Sequence, residues 1–203
     1  MKVGYTEIYL ICEIMGKNTK RNTKYNKNNY REIYLFVEDS YGVVFFKKLI
    51  ENINNLNILK KPIKISKRNG ITTPQSIGGY LCNPKIERDI LAASNFTTCE
   101  KIIIVIDGDK NQNKINENKD KIKKHIPKNI NKPCKEIIID YEIEEWICMC
   151  NNIKWGNDKP SDILKSKLKY KKSQLPNYGN KLDIIYLYNN SNSFKQFIYE
   201  LDN

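Results

Sequence analysis

Three apolar runs in this sequence end on carboxylates. Ile33–Val37 leads into Glu38-Asp39, Lys101–Ile106 into Asp107-Gly108-Asp109, and Glu136–Ile139 into Asp140, with Glu142, Glu144 and Glu145 close behind. Carboxylate oxygens are hard ligands of the kind that hold Mg2+ or Mn2+. Taken singly, each acid has an ordinary explanation as a turn residue or helix cap. Glu142, Glu144 and Glu145 also read as a solvated first helical turn, favoured there by the helix dipole. Three runs delivering acids to one place is harder to explain that way. In a chain of net charge +12, such a cluster repels itself unless a cation joins it.

For those acids to meet, the apolar runs must be neighbouring parallel strands. The pattern agrees. Strands are expected at Ile33–Val37, Pro62–Ser66, Lys101–Ile106 and Glu136–Ile139. Helices are expected between and after them, at Tyr41–Asn52, Lys85–Asn95, Lys114–Ile126 and Glu142–Cys150. Short, continuously apolar strands alternating with helices predict an α/β fold, a Rossmann-like parallel sheet with helices on both faces. In such sheets ligands sit beyond the carboxyl ends of the strands. Residues 31–150 would form this domain. Residues 1–30 hold a strand-like stretch, Glu7–Ile14, and a basic Lys/Asn-rich loop, Gly16–Asn29. Residues 151–203 read as a C-terminal helical extension, with helices at Pro160–Lys172 and Ser191–Leu201, the second opening on Ser193 as N-cap.

Of the 203 residues, 35 are Lys or Arg and 23 Asp or Glu, an excess that favours polyanionic partners. Only Arg21, Arg31, Arg68 and Arg88 are arginines, so backbone binding is expected rather than base reading. Heavy use of Lys, Asn and Ile, as AT-rich coding produces, accounts for the same excess without a partner. Lys119–Lys128 and Lys165–Lys172 are candidate backbone tracks, with Tyr170 a stacking platform; the bland reading is a pair of solvated helix faces. His125, the only histidine, lies in the first of them and reads as a surface residue. The longest apolar run, Ile102–Ile106, is far short of a membrane span, and Met1–Leu10 lacks the apolar core of an export signal. Six cysteines without a CxxC pair suit reduced thiols in a cytoplasm. Cys148 and Cys150 read as core thiols. Asp107, Asp109 and Asn111 match the first positions of a calcium loop, but Gln112 and Asn118 stand where it needs glycine and glutamate. A glycosyltransferase also uses Asp-x-Asp after a strand, yet it gives no reason for the acids after the first and last strands.

Tyr141-Glu142-Ile143-Glu144-Glu145-Trp146 resembles a segment of the smaller Toprim-like proteins, and Phe36-Val37-Glu38-Asp39-Ser40 and Ile104-Val105-Ile106-Asp107-Gly108-Asp109 resemble, in order, the first two motifs of Toprim domains. These are the metal-binding modules of topoisomerases, primases and overcoming-lysogenization-defect nucleases. The closing Asn192-Ser193-Phe194-Lys195-Gln196-Phe197 resembles the last helix of the small Toprim-like proteins. The likeness spans about Glu32 to Leu201, and Asp39 stands where the family has glycine. It implies that Asp107 and Asp109 hold Mg2+ or Mn2+, with Glu38 as a ligand or general acid/base. Glu142 or Glu144 would hold a second ion. The implied activity is nucleic-acid phosphodiester cleavage on DNA or RNA. The alternative is a non-catalytic metal and nucleic-acid binding module, as a homodimer or within a larger defence or processing complex. No tyrosine is placed as a topoisomerase nucleophile, and Lys110 stands where it could neutralise a phosphate or simply face water.

Overall fold

The computed structural model describes residues 30–65, 75–76, 84–95, 98–109 and 112–203. The strand expected at Glu7–Ile14, the basic loop Gly16–Asn29 and Lys110 lie outside the described residues. The chain runs β1 (Arg31–Val37), α1 (Ser40–Asn55), β2 (Ile63–Ile65), β3 (Gln75–Ser76), α2 (Pro84–Ser94), β4 (Lys101–Asp107), α3 (Gln112–His125) and β5 (Cys134–Ile139). Then come α4 (Glu144–Cys150), α5 (Pro160–Leu168), a 3-10 turn (Lys172–Asn177), α6 (Ile184–Asn190) and α7 (Asn192–Asp202). The strands form a parallel sheet in the order β2-β1-β4-β5, with the short β3 also parallel to β1. This is an α/β fold.

Side chains alternate across a strand, so the continuous apolar runs feed two cores. Ile33, Leu35, Val37, Ile103, Val105, Ile137 and Ile139 face one cluster. Tyr34, Phe36, Ile102, Ile104, Ile106 and Ile138 face the other. On the second face lie Ile86, Ile90 and Ala93 of α2 and Ile122 of α3. The first face is covered by α1, through Phe45, Phe46, Leu49 and Ile53, and by α4 through Trp146 and Ile147. It also takes Leu164, Leu175, Leu187, Phe194, Phe197 and Leu201 from the segment after Asn151, so those helices share the sheet's own core. Their centre is aromatic: Trp146 meets Phe46 and Phe194 edge-on, at ring centroid distances of 6.0 and 5.0 Å.

Two local expectations are corrected. The helix from Pro160 stops at Leu168, because Lys169 turns left-handed (φ 52°) and ends it. Ser191 rather than Ser193 caps α7, its hydroxyl accepting from the Phe194 N–H at 3.2 Å. Ser193 is buried instead and accepts from the Trp146 indole at 3.0 Å. Among the described residues no helix is long and apolar enough to cross a membrane.

Gly179 fixes how close the segment after α5 comes to α1. A Cβ there would run into the Phe45 carbonyl oxygen and stand 3.1 Å from the Leu49 nitrogen. Both are helix backbone and cannot swing aside. Gly179→Ala is expected to cost about 1–3 kcal/mol in urea unfolding. Asn180→Ala, on an exposed neighbour, should stay within about 0.5 kcal/mol.

Candidate functional site

The strand order creates a crevice. From β1 the chain leaves through α1 toward β2 on one face, and from β4 it leaves through α3 toward β5 on the other. β1 and β4 are therefore the adjacent strands whose connections diverge, the topological switch point where α/β sheets bind ligands. Glu38 is the first residue beyond β1 and Asp107 the last of β4, with Val37 paired to Val105 in register. The Asp107 N–H donates to Glu38 Oε2 at 3.0 Å. The two acids expected from separate motifs thus meet.

The rest of the edge is tied to them. The Gly108 and Asp109 N–H groups donate to the Tyr141 carbonyl at 3.0 and 2.9 Å, which locks the Asp-x-Asp turn to the loop after β5. Asp109 adopts φ 53°, a left-handed conformation that Asp tolerates better than most residues. Asp39 is extended (φ −132°) and caps α1, its Oδ1 accepting from the Gly42 N–H at 2.6 Å. The turn after β1 therefore needs no glycine. Glu142 Oε1 accepts from the Ser161 N–H at 2.6 Å, in the first turn of α5. Glu144 and Glu145 are 0% and 4% exposed, so they do not form a solvated helical turn.

Two lysines reach this group: Lys159 Nζ stands 3.9 Å from Asp109 Oδ1, and Lys172, the less exposed of the two, makes the closer contacts. Lys172 Nζ lies 3.0 Å from Glu144 Oε1, 3.2 Å from Glu144 Oε2 and 3.3 Å from Asp39 Oδ2. The Tyr170 hydroxyl also donates to Glu144 Oε1, at 2.8 Å. Tyr170 is 4% exposed and so is no stacking platform, and Lys172 is turned into the acids rather than along a surface track. Lysines 165, 167, 169 and 171 remain exposed. Sequence spacing missed Lys172 because its position depends on the left-handed Lys169, where no glycine or asparagine marks the helix end. A cavity of about 360 Å³ opens beside the cluster, lined by Glu142, Glu144 and Lys172 together with Ser161, Lys165 and Lys171.

Burial lifts the Asp107 carboxyl well above the usual carboxylate range, and the charge on Glu38 lifts it further; Lys172 pulls it down. Glu38 is raised too, first by burial and then by Asp109 and Asp39, against the lowering bond from the Asp107 N–H. Burial likewise raises Glu142. Lys172 is raised although burial opposes its charge, because Glu144, Asp39 and Asp107 outweigh that cost. Among the described residues no group of three or more Asp, Glu, His or Cys side chains is set to hold a metal ion. The described cysteines give no alternative: Cys99 and Cys148 are buried, Cys134 and Cys150 half-buried, and these four are free thiols. His125 closes α3, half-buried and away from these contacts. Comparison with protein-family models, curated proteins and solved structures finds no match.

Two outcomes are expected. Lys172→Met leaves Glu144 buried and uncompensated, a loss of about 3 kcal/mol, toward the low end for breaking a buried pair because Lys172 is itself 37% exposed. Adding Glu144→Gln should recover most of that loss in a double-mutant cycle read by urea unfolding. The second outcome concerns Glu145, which burial raises to about 7 from an ordinary value near 4.5. Its proton is held more tightly in the folded chain, so stability is greatest below about pH 4.5 and falls as pH rises through 7. The drop is at most about 3 kcal/mol. Unfolding between pH 5 and 7.5 without divalent ions should show the fall, and Glu145→Gln should flatten it; equal slopes would contradict the assignment.

Proposed function

We propose that this chain is a Toprim-like nuclease that cleaves nucleic-acid phosphodiester bonds with Mg2+ or Mn2+. The observation that carries this reading is the meeting of Glu38 and Asp107 at the switch point of the sheet. Asp109 is held beside them by the Tyr141 carbonyl. The donor chemistry suits the ion, although the side chains of the described residues are not gathered into a set of three around one point. The donors are hard carboxylate oxygens, and the raised Asp107 and Glu38 are groups whose charge a divalent cation would favour. Glu38, Asp107 and Asp109 would hold the metal, with Glu142 and Glu144 behind them. When bound, the ion supplies an activated water and a counter-charge for the scissile phosphate.

The chain's own residues supply the rest. Glu38 is raised by burial and by its acidic neighbours, which brings its proton exchange closer to working pH, as general acid/base chemistry requires. The 360 Å³ cavity is lined by Glu142 and Glu144 rather than by the three metal candidates, and presents Lys165 and Lys171, which can neutralise flanking phosphates without reading bases. A +12 chain with four arginines suits the same sequence-independent hold. The four free thiols among the described residues fit a reducing cytoplasm. The second reading, a metal and nucleic-acid binding module without cleavage, is favoured by one observation. Lys172 already balances Glu144 and Asp39, and charge balance alone needs no turnover.

The readings separate by incubating the protein with plasmid, single-stranded DNA and structured RNA in Mg2+ or Mn2+. Cleavage is expected, with Asp107→Ala reducing it at least about 100-fold, the scale of losing a group that stabilises transition-state charge. Asp109→Ala should act in the same direction. Tight binding with no cleavage in either metal would favour the binding module.

A further inference from the structure

We infer that Lys172 takes the place of a second divalent ion, so that the site holds one metal together with a built-in ammonium. This rests on the reading of Glu38, Asp107 and Asp109 as the site of the first ion. Glu144 is the acid that the Toprim resemblance offers to a second ion, and it is fully buried. Both of its oxygens are engaged: Oε1 by the Tyr170 hydroxyl at 2.8 Å and by Lys172 at 3.0 Å, Oε2 by Lys172 at 3.2 Å. The same ammonium lies 3.3 Å from Asp39 Oδ2, while the other Asp39 oxygen is committed to the α1 cap. Glu142, the remaining candidate, gives Oε1 to the Ser161 N–H at 2.6 Å. A second ion would have to displace these partners one by one and then share the space with a lysine charge, at a Coulomb cost that falls only slowly over a few ångströms.

The lysine is held where it is. It opens the 3-10 turn Lys172–Asn177, whose Leu175 is buried in the same core as the sheet. Between Lys171 and that turn, the Gln174 side chain accepts from the Lys171 N–H at 2.7 Å. Tyr170, two residues earlier, is fixed by Glu144 and stacks edge-on against Tyr178, with ring centroids 6.0 Å apart. Lys172 therefore acts as a positioning residue for the charge pattern: its contacts are spent on Glu144 and Asp39, while Glu38 bonds the Asp107 N–H and Asp109 has only the longer 3.9 Å approach of Lys159.

The test is a Mn2+ titration of the full chain by calorimetry, with no nucleic acid present, on wild type, Lys172→Met, Lys172→Arg and Asp107→Asn. The wild type should bind one ion, abolished by Asp107→Asn, and Lys172→Arg should also bind one. Lys172→Met should gain a second ion and recover in Mn2+ the thermal stability it loses without metal, a shift that neither wild type nor Lys172→Arg would match in size. If Lys172→Met does not fold without metal, refolding it in Mn2+ and counting bound ions after desalting gives the same answer. Two ions in the wild type, or one ion in Lys172→Met, overturns the inference. No ion in the wild type overturns the metal-site reading instead. In that case the lysine's role stands if Lys172→Met alone gains an ion, and falls if it does not.

Discussion

Like charges crowded at one edge of a sheet are the constraint on which this structure turns. The parallel order β2-β1-β4-β5 brings Glu38 and Asp107 within a hydrogen bond of each other, and the loop after β5 adds Glu142 and Glu144. Each is costly to charge when buried and close to the next. The fold meets that cost in two ways. Backbone N–H groups serve Glu38, Asp39 and Glu142, and Lys172 is pulled inward across 28 residues to Glu144. Burial still raises the Asp107 carboxyl well above the usual carboxylate range.

That arrangement depends on packing remote from the acids. α4 carries Glu144 and Glu145 at its first turn and Trp146 immediately after, so the placement of the carboxylates and of the largest core side chain is one event. Trp146 packs among Phe46, Phe194 and Phe197 and donates to Ser193, which in turn donates to Glu145 at 3.1 Å. Glu145 then accepts from the Tyr141 N–H at 2.8 Å, and the Tyr141 carbonyl holds the Asp-x-Asp turn. A continuous chain of contacts thus links α7 to Asp109. The helices after Asn151 are part of the site's support, and α7 is not an ornament on a finished domain.

Much of this was legible in the sequence, for a physical reason. Strands buried on both faces are written as unbroken apolar runs such as Ile102–Ile106, and the acid that follows each run reports the sheet's carboxyl edge. Glu38, Asp107 and Asp109 could be found because strand ends fix their position to within a residue. The later elements were less legible. Ser193 reads as a cap by type and position, yet Ser191 does that work, and only the tertiary partners Trp146 and Glu145 distinguish the two. α6 carries Ile184 and Leu187 into the core but is seven residues long, too short for a clear helical period. Lys172 and Tyr170 sit in a stretch rich in lysine, where composition suggests a solvated face and only the left-handed turn at Lys169 redirects the chain inward.

On the proposed reading these carboxylates, far apart in sequence, share one cation site. Anomalous diffraction from crystals soaked in Mn2+ tests it most directly. The account predicts one strong peak about 2.0–2.3 Å from carboxylate oxygens of Asp107 and its neighbours Glu38 or Asp109, with the Lys172 ammonium still on Glu144. An empty crevice at saturating Mn2+, or a peak on Glu144 with Lys172 swung out to solvent, would contradict it.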